Sequence, residues 1–232
     1  MINYSFALPI IYIFKRMKNI LTTILLVFSS LVLCAQEQPF WKEIRAFKTA
    51  DSAQPPAQNA IVFVGSSSFR MWKDIDQDFP GHVLINRGFG GSSLPHVIDY
   101  ADEIIVPYKP KQVVIYCGEN DFMNKSVTSE IVTDRFIQLF NLLRKELPAA
   151  EIVFVSMKPS PSRQHLMPQM ARANEAIREF LDKKPASAFV DIWKPMLDEK
   201  GAPRRELFLK DMLHMNERGY AIWQRAIKPH LK

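Results

Sequence analysis

Five short apolar runs, separated by helical patterns, constrain the fold of this chain more than any other feature. They are rich in valine, isoleucine and phenylalanine and occupy 60–65, 82–88, 111–118, 151–157 and 187–193. They do not alternate with polar residues, which is typical of strands that are buried on both faces of a parallel sheet. The alternation of strands and helices therefore predicts an α/β fold with a mostly parallel, five-stranded sheet that is covered by helices on both faces.

Helical patterns fill the intervals between these runs. The clearest covers 129–147, where the apolar residues fall largely on one face. Similar patterns cover 170–184 and 216–231. An amphipathic helix and a linker are expected within 36–59, packed on a main domain that covers 60–232.

The first 35 residues have the pattern of a secretory signal peptide. From Met17, the expected start of translation, a basic segment leads into an apolar run and then into small residues that end at Ala35. Cleavage after Ala35 would place the mature protein in the periplasm or outside the cell. An uncleaved membrane anchor is disfavoured because the apolar run is shorter than the roughly 20 residues of a membrane span. A lipoprotein attached through Cys34 is disfavoured by the bulky Leu33 that precedes it.

Charge and cysteine content limit the classes of partner. The 232-residue chain has a net charge of +6, which falls to +3 without the first 35 residues because Lys15, Arg16 and Lys18 are then lost. This charge is too small to favour nucleic acid as a partner. With no zinc-ligand spacing in the sequence, neither a metal nor a cofactor is expected. Cys117 would be the only cysteine of the mature chain, which is therefore expected to fold without an internal disulfide. The mature chain is also not expected to insert into a membrane.

Polar residues and glycines gather at the ends of the first three runs. The first run ends in a glycine and three serines at 65–68, the second in the glycine-rich stretch 86–91, and the third in the polar stretch 119–121. Ligands of open α/β sheets bind outside the carboxyl ends of the strands, so these residues are candidates for a common site. Each stretch also fits an ordinary turn or helix cap. A dinucleotide site is excluded because the glycines follow the second run and lack the G-x-G-x-x-G order.

Asp211 and His214 form a fourth candidate near the carboxyl end. Their spacing of three residues brings both side chains to one side of a helical or turn-like segment. A carboxylate in that position can orient an imidazole and hold its tautomer. The alternative is a surface aspartate beside a structural histidine.

These four stretches, taken in order, resemble the motifs of the SGNH hydrolases, also called the GDSL esterase/lipase family. The family carries Gly-Asp-Ser after the first strand, a glycine after the second, Gly-x-Asn-Asp after the third and Asp-x-x-His near the carboxyl end. The matching positions here are 65–67, 88–91, 118–121 and 211–214, with Ser66 in place of the family's aspartate. The resemblance is nearest to small bacterial members similar to platelet-activating-factor acetylhydrolase. It implies a flavodoxin-like, three-layer α/β/α sandwich.

The resemblance also implies a role for individual residues. Ser67 would be the nucleophile, His214 its general base and Asp211 the group that orients the imidazole. The backbone N–H groups of Ser67 and Gly91 and the side-chain amide of Asn120 would hold the oxyanion. Aromatic residues near the motifs are candidates for an acyl pocket, although they also fit ordinary core positions; these are Phe69, Trp72, Phe89 and Phe122, with Met123 beside them.

The expected function is that of a secreted serine esterase. Its substrate would be a small-molecule or carbohydrate acyl ester, most simply an O-acetyl group on a carbohydrate. A lysophospholipase or thioesterase for longer acyl chains is an alternative that an apolar channel at the aromatic residues would favour. An inactive carbohydrate-binding domain on the same fold is a third interpretation, disfavoured because Ser67, Asp211 and His214 are all present.

Overall fold

A parallel sheet of five strands lies at the centre of the protein, as the computed structural model shows for Met17 and residues 38–232. The strands are β1 (Ile61–Gly65), β2 (Leu84–Gly88), β3 (Gln112–Tyr116), β4 (Glu151–Val155) and β5 (Ser187–Val190). Their order across the sheet is β2-β1-β3-β4-β5, and all four neighbouring pairs are parallel. The predicted α/β fold with a parallel five-stranded sheet is confirmed.

The described residues also form eight α-helices and several short 3₁₀ turns. The helices are α1 (Trp41–Ala53), α2 (Ser67–Arg70), α3 (Ile75–Asp78), α4 (Leu94–Asp99), α5 (Ala101–Ile104), α6 (Ser129–Glu146), α7 (Met167–Leu181) and α8 (Glu217–Ile227). The 3₁₀ turns cover Val106–Tyr108, Asp121–Met123, Pro161–Leu166, Lys194–Met196, Arg205–Leu207 and Lys228–His230. Among the described residues, no helix has both the length and the apolar character that crossing a bilayer requires.

The sheet separates two hydrophobic cores. Successive side chains of a strand point to opposite faces, so Val62 and Val64 of β1 pack into one core while Ile61 and Phe63 pack into the other. Helices α1 and α4–α7 contribute to the first core, and α2, α3 and α8 to the second. Burial on both faces explains why the strands read as unbroken apolar runs.

Several elements are shorter than the sequence patterns that predicted them. Strand β2 omits 82–83, because the N–H of His82 donates to the carbonyl of Phe79 in a turn rather than to a strand. Helix α8 ends at Ile227, two residues before Pro229, whose ring nitrogen has no hydrogen to donate to the helix. The predicted signal peptide over 1–35 lies outside the described residues except for Met17.

The order of the strands in the sheet reverses at β1. It passes from β1 to β2 on one side and then returns to β3 on the other, so the loops after β1 and β3 diverge from a common point. Gly65 ends β1 with a φ of +138°, and a Cβ atom there would lie 1.9 Å from the carbonyl oxygen of Tyr116 in β3. The N–H of Ser66 donates to that same oxygen at 3.0 Å. Only glycine fits this approach of two backbones.

We predict that Gly65→Ala lowers the free energy of unfolding by at least about 3 kcal/mol, because the added methyl overlaps backbone and the φ angle is strained for alanine. Gly81→Ala is the matched control: Gly81 also has a positive φ, +87°, but nothing lies within 4 Å of its missing Cβ. That control should lose only about 1 kcal/mol. Equal losses in denaturant melts of the two variants would contradict the steric explanation.

Candidate active site

Ser67 lies at the first position of helix α2, directly after β1. Its neighbours Ser66 and Ser68 are 4% and 1% exposed, whereas Ser67 is only half-buried and opens to the solvent side of the strand ends. The Oγ atom of Ser67 lies 2.9 Å from Nε2 of His214. Of the three serines, Ser67 is therefore the one that is held against an imidazole.

Asp211 holds the other side of that imidazole. Its Oδ2 lies 2.5 Å from Nδ1 of His214, and its Oδ1 accepts the backbone N–H groups of Leu213 and His214 at 3.0 Å each. An ionised carboxylate can only accept, so Nδ1 carries the hydrogen and Nε2 is left as an acceptor for the hydroxyl of Ser67. The predicted proximity of Ser67, His214 and Asp211 is present in the structure.

Hydrogen bonds keep the Asp211 carboxylate ionised. Partial burial alone would raise the pKa of Asp211, but the hydrogen bonds from the side chain of His214 and from two backbone N–H groups outweigh it and lower the pKa to about 2. The orienting carboxylate is therefore lost only as the pH falls toward 2, well below the neutral range.

The glycine-rich turn after β2 lies beside helix α2. A Cβ atom on Gly88 would meet the backbone nitrogen of Arg70 at 2.4 Å, and the N–H of Phe89 donates to the carbonyl of Gly65 at 2.9 Å. Gly91 has a φ of +78°, which favours glycine. The carbonyl of Ser92, the next residue, accepts the Nδ2 amide of Asn120 at 2.8 Å. The ends of β1, β2 and β3 thus meet as predicted.

A buried cluster of ionisable side chains lies next to the ends of β1 and β3. The Nζ atom of Lys158 lies 2.9 Å from Oε2 of Glu119, and both side chains are at most 3% exposed. The hydroxyl of Tyr116 donates to the same Oε2. Arg163 places Nη1 3.1 Å from Oε1 of Glu119, and its Nη2 donates to Oδ1 of Asn120 at 2.7 Å. Lys158 also donates to the hydroxyl of Ser68 at 3.4 Å.

Burial and charge pairing act against each other in this cluster. Burial alone would raise the pKa of Glu119, but Lys158 and Arg163 together lower it below the usual value. Burial lowers the pKa of Lys158, while the neighbouring Glu119 opposes that change. Lys158 and Arg163 thus face the single carboxylate of Glu119, and Arg163 joins it to Asn120.

Asp121, the last residue of the third motif, is held by partners outside the triad. Its Oδ2 accepts the N–H of Leu94 at the start of α4, and its Oδ1 accepts Nη1 of Arg135 at 2.7 Å. Of the polar stretch 119–121, Asn120 contacts Ser92 in the loop after β2, and Arg163 joins Asn120 to Glu119.

The prediction of an aromatic acyl pocket is wrong. Phe69 and Phe89 are fully buried, and Trp72 and Phe122 are each 3% exposed. Phe69 and Trp72 pack in the core on one face of the sheet, and Phe89 and Phe122 in the core on the other, so they do not line one channel. Met123, by contrast, is 61% exposed. These rings fill the cores on the two faces of the sheet. Their closeness to the motifs in the sequence therefore does not bring them to the surface at the strand ends.

Lys158 and Arg163 were missed by the sequence analysis. Lys158 comes three residues after β4, at the same edge of the sheet as the predicted motifs. A lysine that follows a buried strand so closely is the signal that could have identified it. Arg163 lies in a 3₁₀ turn (Pro161–Leu166), and nothing in its local sequence indicates that it reaches the loop after β3.

Comparison with known proteins assigns the family. The model of the GDSL-like lipase/acylhydrolase family matches residues 57–222, more than half of the chain. The chain belongs to this family. It is accordingly an ester hydrolase, a serine esterase of the GDSL type, and members of the family act on small ester substrates. The interpretation as an inactive binding domain is not supported. No curated protein matches the sequence of this GDSL-type chain.

Solved structures share the fold of this GDSL-type hydrolase. A Streptococcus pneumonia protein provisionally named as a platelet activating factor is 18% identical, with a TM-score of 0.72 over 91% of this chain and 99% of that one. A GDSL-like lipase from Bacteroides thetaiotaomicron is 19% identical, with a TM-score of 0.70 over 81% and 96%. A variant of an acetylxylan esterase from Geobacillus stearothermophilus is 14% identical, with a TM-score of 0.61 over 74% and 93%.

We predict that a fluorophosphonate probe labels Ser67 and neither of its neighbours, because only Ser67 is hydrogen-bonded to His214 and reachable from solvent. Peptide mapping of the labelled protein by mass spectrometry gives the position. Ser66→Ala should still be labelled, and Ser67→Ala should not. Label on Ser66 or Ser68 in the unmodified protein would show that the reactive serine has been assigned one position out of register.

Proposed function

We propose that the protein hydrolyses small acyl esters through a triad of Ser67, His214 and Asp211. The hydrogen-bonded series from Ser67 through His214 to Asp211 is the observation that carries this proposal. His214 removes the proton from Ser67 as its Oγ attacks the acyl carbonyl, and then passes that proton to the departing alcohol. Water, activated by the same imidazole, attacks the acyl-enzyme, releases the acid and restores Ser67.

The tetrahedral intermediates need fixed donors for the negative oxygen. We assign these to the backbone N–H groups of Ser67 and Gly91 and to the Nδ2 amide of Asn120. The contact between Asn120 and Ser92, the neighbour of Gly91, supports the assignment because it brings two of these donors to one place. Each such donor is typically worth a factor of about 100 or more in kcat.

An O-acetyl group, carried by a carbohydrate, is the substrate that we propose. The burial of Phe69, Phe89 and Phe122 removes the apolar channel that would have favoured a longer acyl chain. The likeness in fold to an acetylxylan esterase supports an acetylated carbohydrate as the first substrate to test. We further propose, from the pattern of residues 17–35, that the enzyme is exported and acts in the periplasm or outside the cell.

We predict that Asp211→Asn lowers kcat by at least about 100-fold while the melting temperature changes little, because the amide can favour the wrong imidazole tautomer and Asp211 is half-exposed. His214→Ala should cost at least as much. The double variant should be no slower than the slower single variant, since the residues act as one unit. If Asp211→Asn retained full kcat, the triad would be wrong, and a lower melting temperature with unchanged kcat would indicate a structural pair.

The acyl preference can be measured with p-nitrophenyl esters from acetate to palmitate. We expect kcat/KM to be highest for acetate and to fall by about tenfold or more by octanoate, because Phe69, Phe89 and Phe122 are buried in the cores and do not receive the acyl chain. Acetylated xylo-oligosaccharides, with release of acetate as the readout, test the alcohol portion. A maximum at octanoate or beyond would instead favour the lysophospholipase or thioesterase interpretation.

A further inference from the structure

Arg163 connects two groups that neighbour each other in the third motif. One arm of its guanidinium lies 3.1 Å from Oε1 of Glu119, and the other donates to Oδ1 of Asn120 at 2.7 Å. The side chain is only 12% exposed, so both contacts are largely shielded from water. Arginine suits this position because one arm of its planar fork can lie beside a carboxylate while the other donates to an amide oxygen, a fixed arrangement that the single ammonium group of a lysine does not reproduce.

The contacts of Asn120 specify one orientation of its amide. Oδ1 faces the guanidinium of Arg163, and Nδ2 donates to the carbonyl of Ser92 at 2.8 Å. Turning the amide over would place its NH₂ group against a cation and its oxygen against a carbonyl, and both contacts would be repulsive. Since Nδ2 carries two hydrogens, one remains for an incoming oxyanion.

Arg163 shares the carboxylate of Glu119 with a second basic side chain. Lys158 already lies 2.9 Å from the opposite oxygen of that carboxylate, and Tyr116 donates to the same oxygen. Two basic side chains, Lys158 and Arg163, therefore share one carboxylate, and Arg163 is the one that contacts Asn120. A cation that donates to an amide oxygen polarises the amide and makes its N–H a stronger donor.

We propose that Arg163 is a positioning residue for ester hydrolysis, which orients and polarises the amide of Asn120 toward the oxyanion. The inference rests on the oxyanion role assigned to Asn120 under the proposed function. The competing explanation is that Arg163 only helps to neutralise the buried Glu119, in which case its loss would affect stability and would act independently of Asn120.

A double-mutant cycle between Arg163→Met and Asn120→Ala separates these explanations. Arg163→Met keeps an apolar stem and leaves Glu119 paired with Lys158. We expect it to lower kcat by about 10- to 100-fold with KM changed less than threefold, because a displaced donor acts mainly in the transition state. In the Asn120→Ala background, the same substitution should lower kcat by less than about threefold.

Arg135→Met is the matched control. Arg135 also pairs with a buried carboxylate of this motif, Asp121, at 2.7 Å, but it does not contact Asn120. Arg135→Met should change kcat by the same factor in the unmodified protein and in the Asn120→Ala background. Any loss of stability that it causes should appear as a lower melting temperature. Arg163→Lys keeps a positive charge beside Glu119 but loses the planar guanidinium. It should also lower kcat, again only when Asn120 is present, and it replaces Arg163→Met in the cycle if that variant does not fold.

The outcomes are distinct. If Asn120→Ala leaves kcat unchanged, the proposed oxyanion role of Asn120 fails, and this inference fails with it. If Asn120→Ala lowers kcat but Arg163→Met costs the same factor in both backgrounds, Arg163 is structural and only the present inference is overturned. Full kcat in Arg163→Lys would also overturn it, because the fork would then be unnecessary.

Discussion

The close approach of Gly65 to the carbonyl of Tyr116 is the constraint on which the site depends. It lets β1 end against the backbone of β3, so the chain can turn at once into the helix that begins at Ser67. The loop after β2 then packs on that helix, and the loop after β3 reaches it through Asn120 and Ser92. Three strand ends thereby share one small region, to which the loop before α8 adds Asp211 and His214.

The buried charges define the geometry of the site rather than add to the stability of the fold. Removing Glu119 and Lys158 from water has a large desolvation cost, which their mutual attraction rarely exceeds by much. Apolar residues of similar size would fill the same space without that cost. What the cluster provides is a defined geometry around Asn120, with the guanidinium of Arg163 next to the place proposed for the oxyanion.

The parts of the molecule that depend on local pattern could be predicted from the sequence. The strands, the main helices and the series Ser67, His214 and Asp211 follow from apolar periodicity, from the rule for strand ends and from a family resemblance. The aromatic pocket could not be predicted, because whether Phe69 or Phe89 fills a core depends on how helices pack on the sheet. Arg163 was missed for the same reason, since its partner Asn120 lies 43 positions away in the sequence.

A crystal structure of the protein after reaction with a p-nitrophenyl phosphonate would test the central claim most directly. The tetrahedral adduct mimics the intermediate that the three strand ends are proposed to stabilise. The account predicts phosphorus bonded to Oγ of Ser67, with one phosphonyl oxygen roughly 2.7–3.1 Å from the N–H groups of Ser67 and Gly91 and from Nδ2 of Asn120. An adduct on another residue, or a phosphonyl oxygen that points away from Gly91 and Asn120, would contradict it.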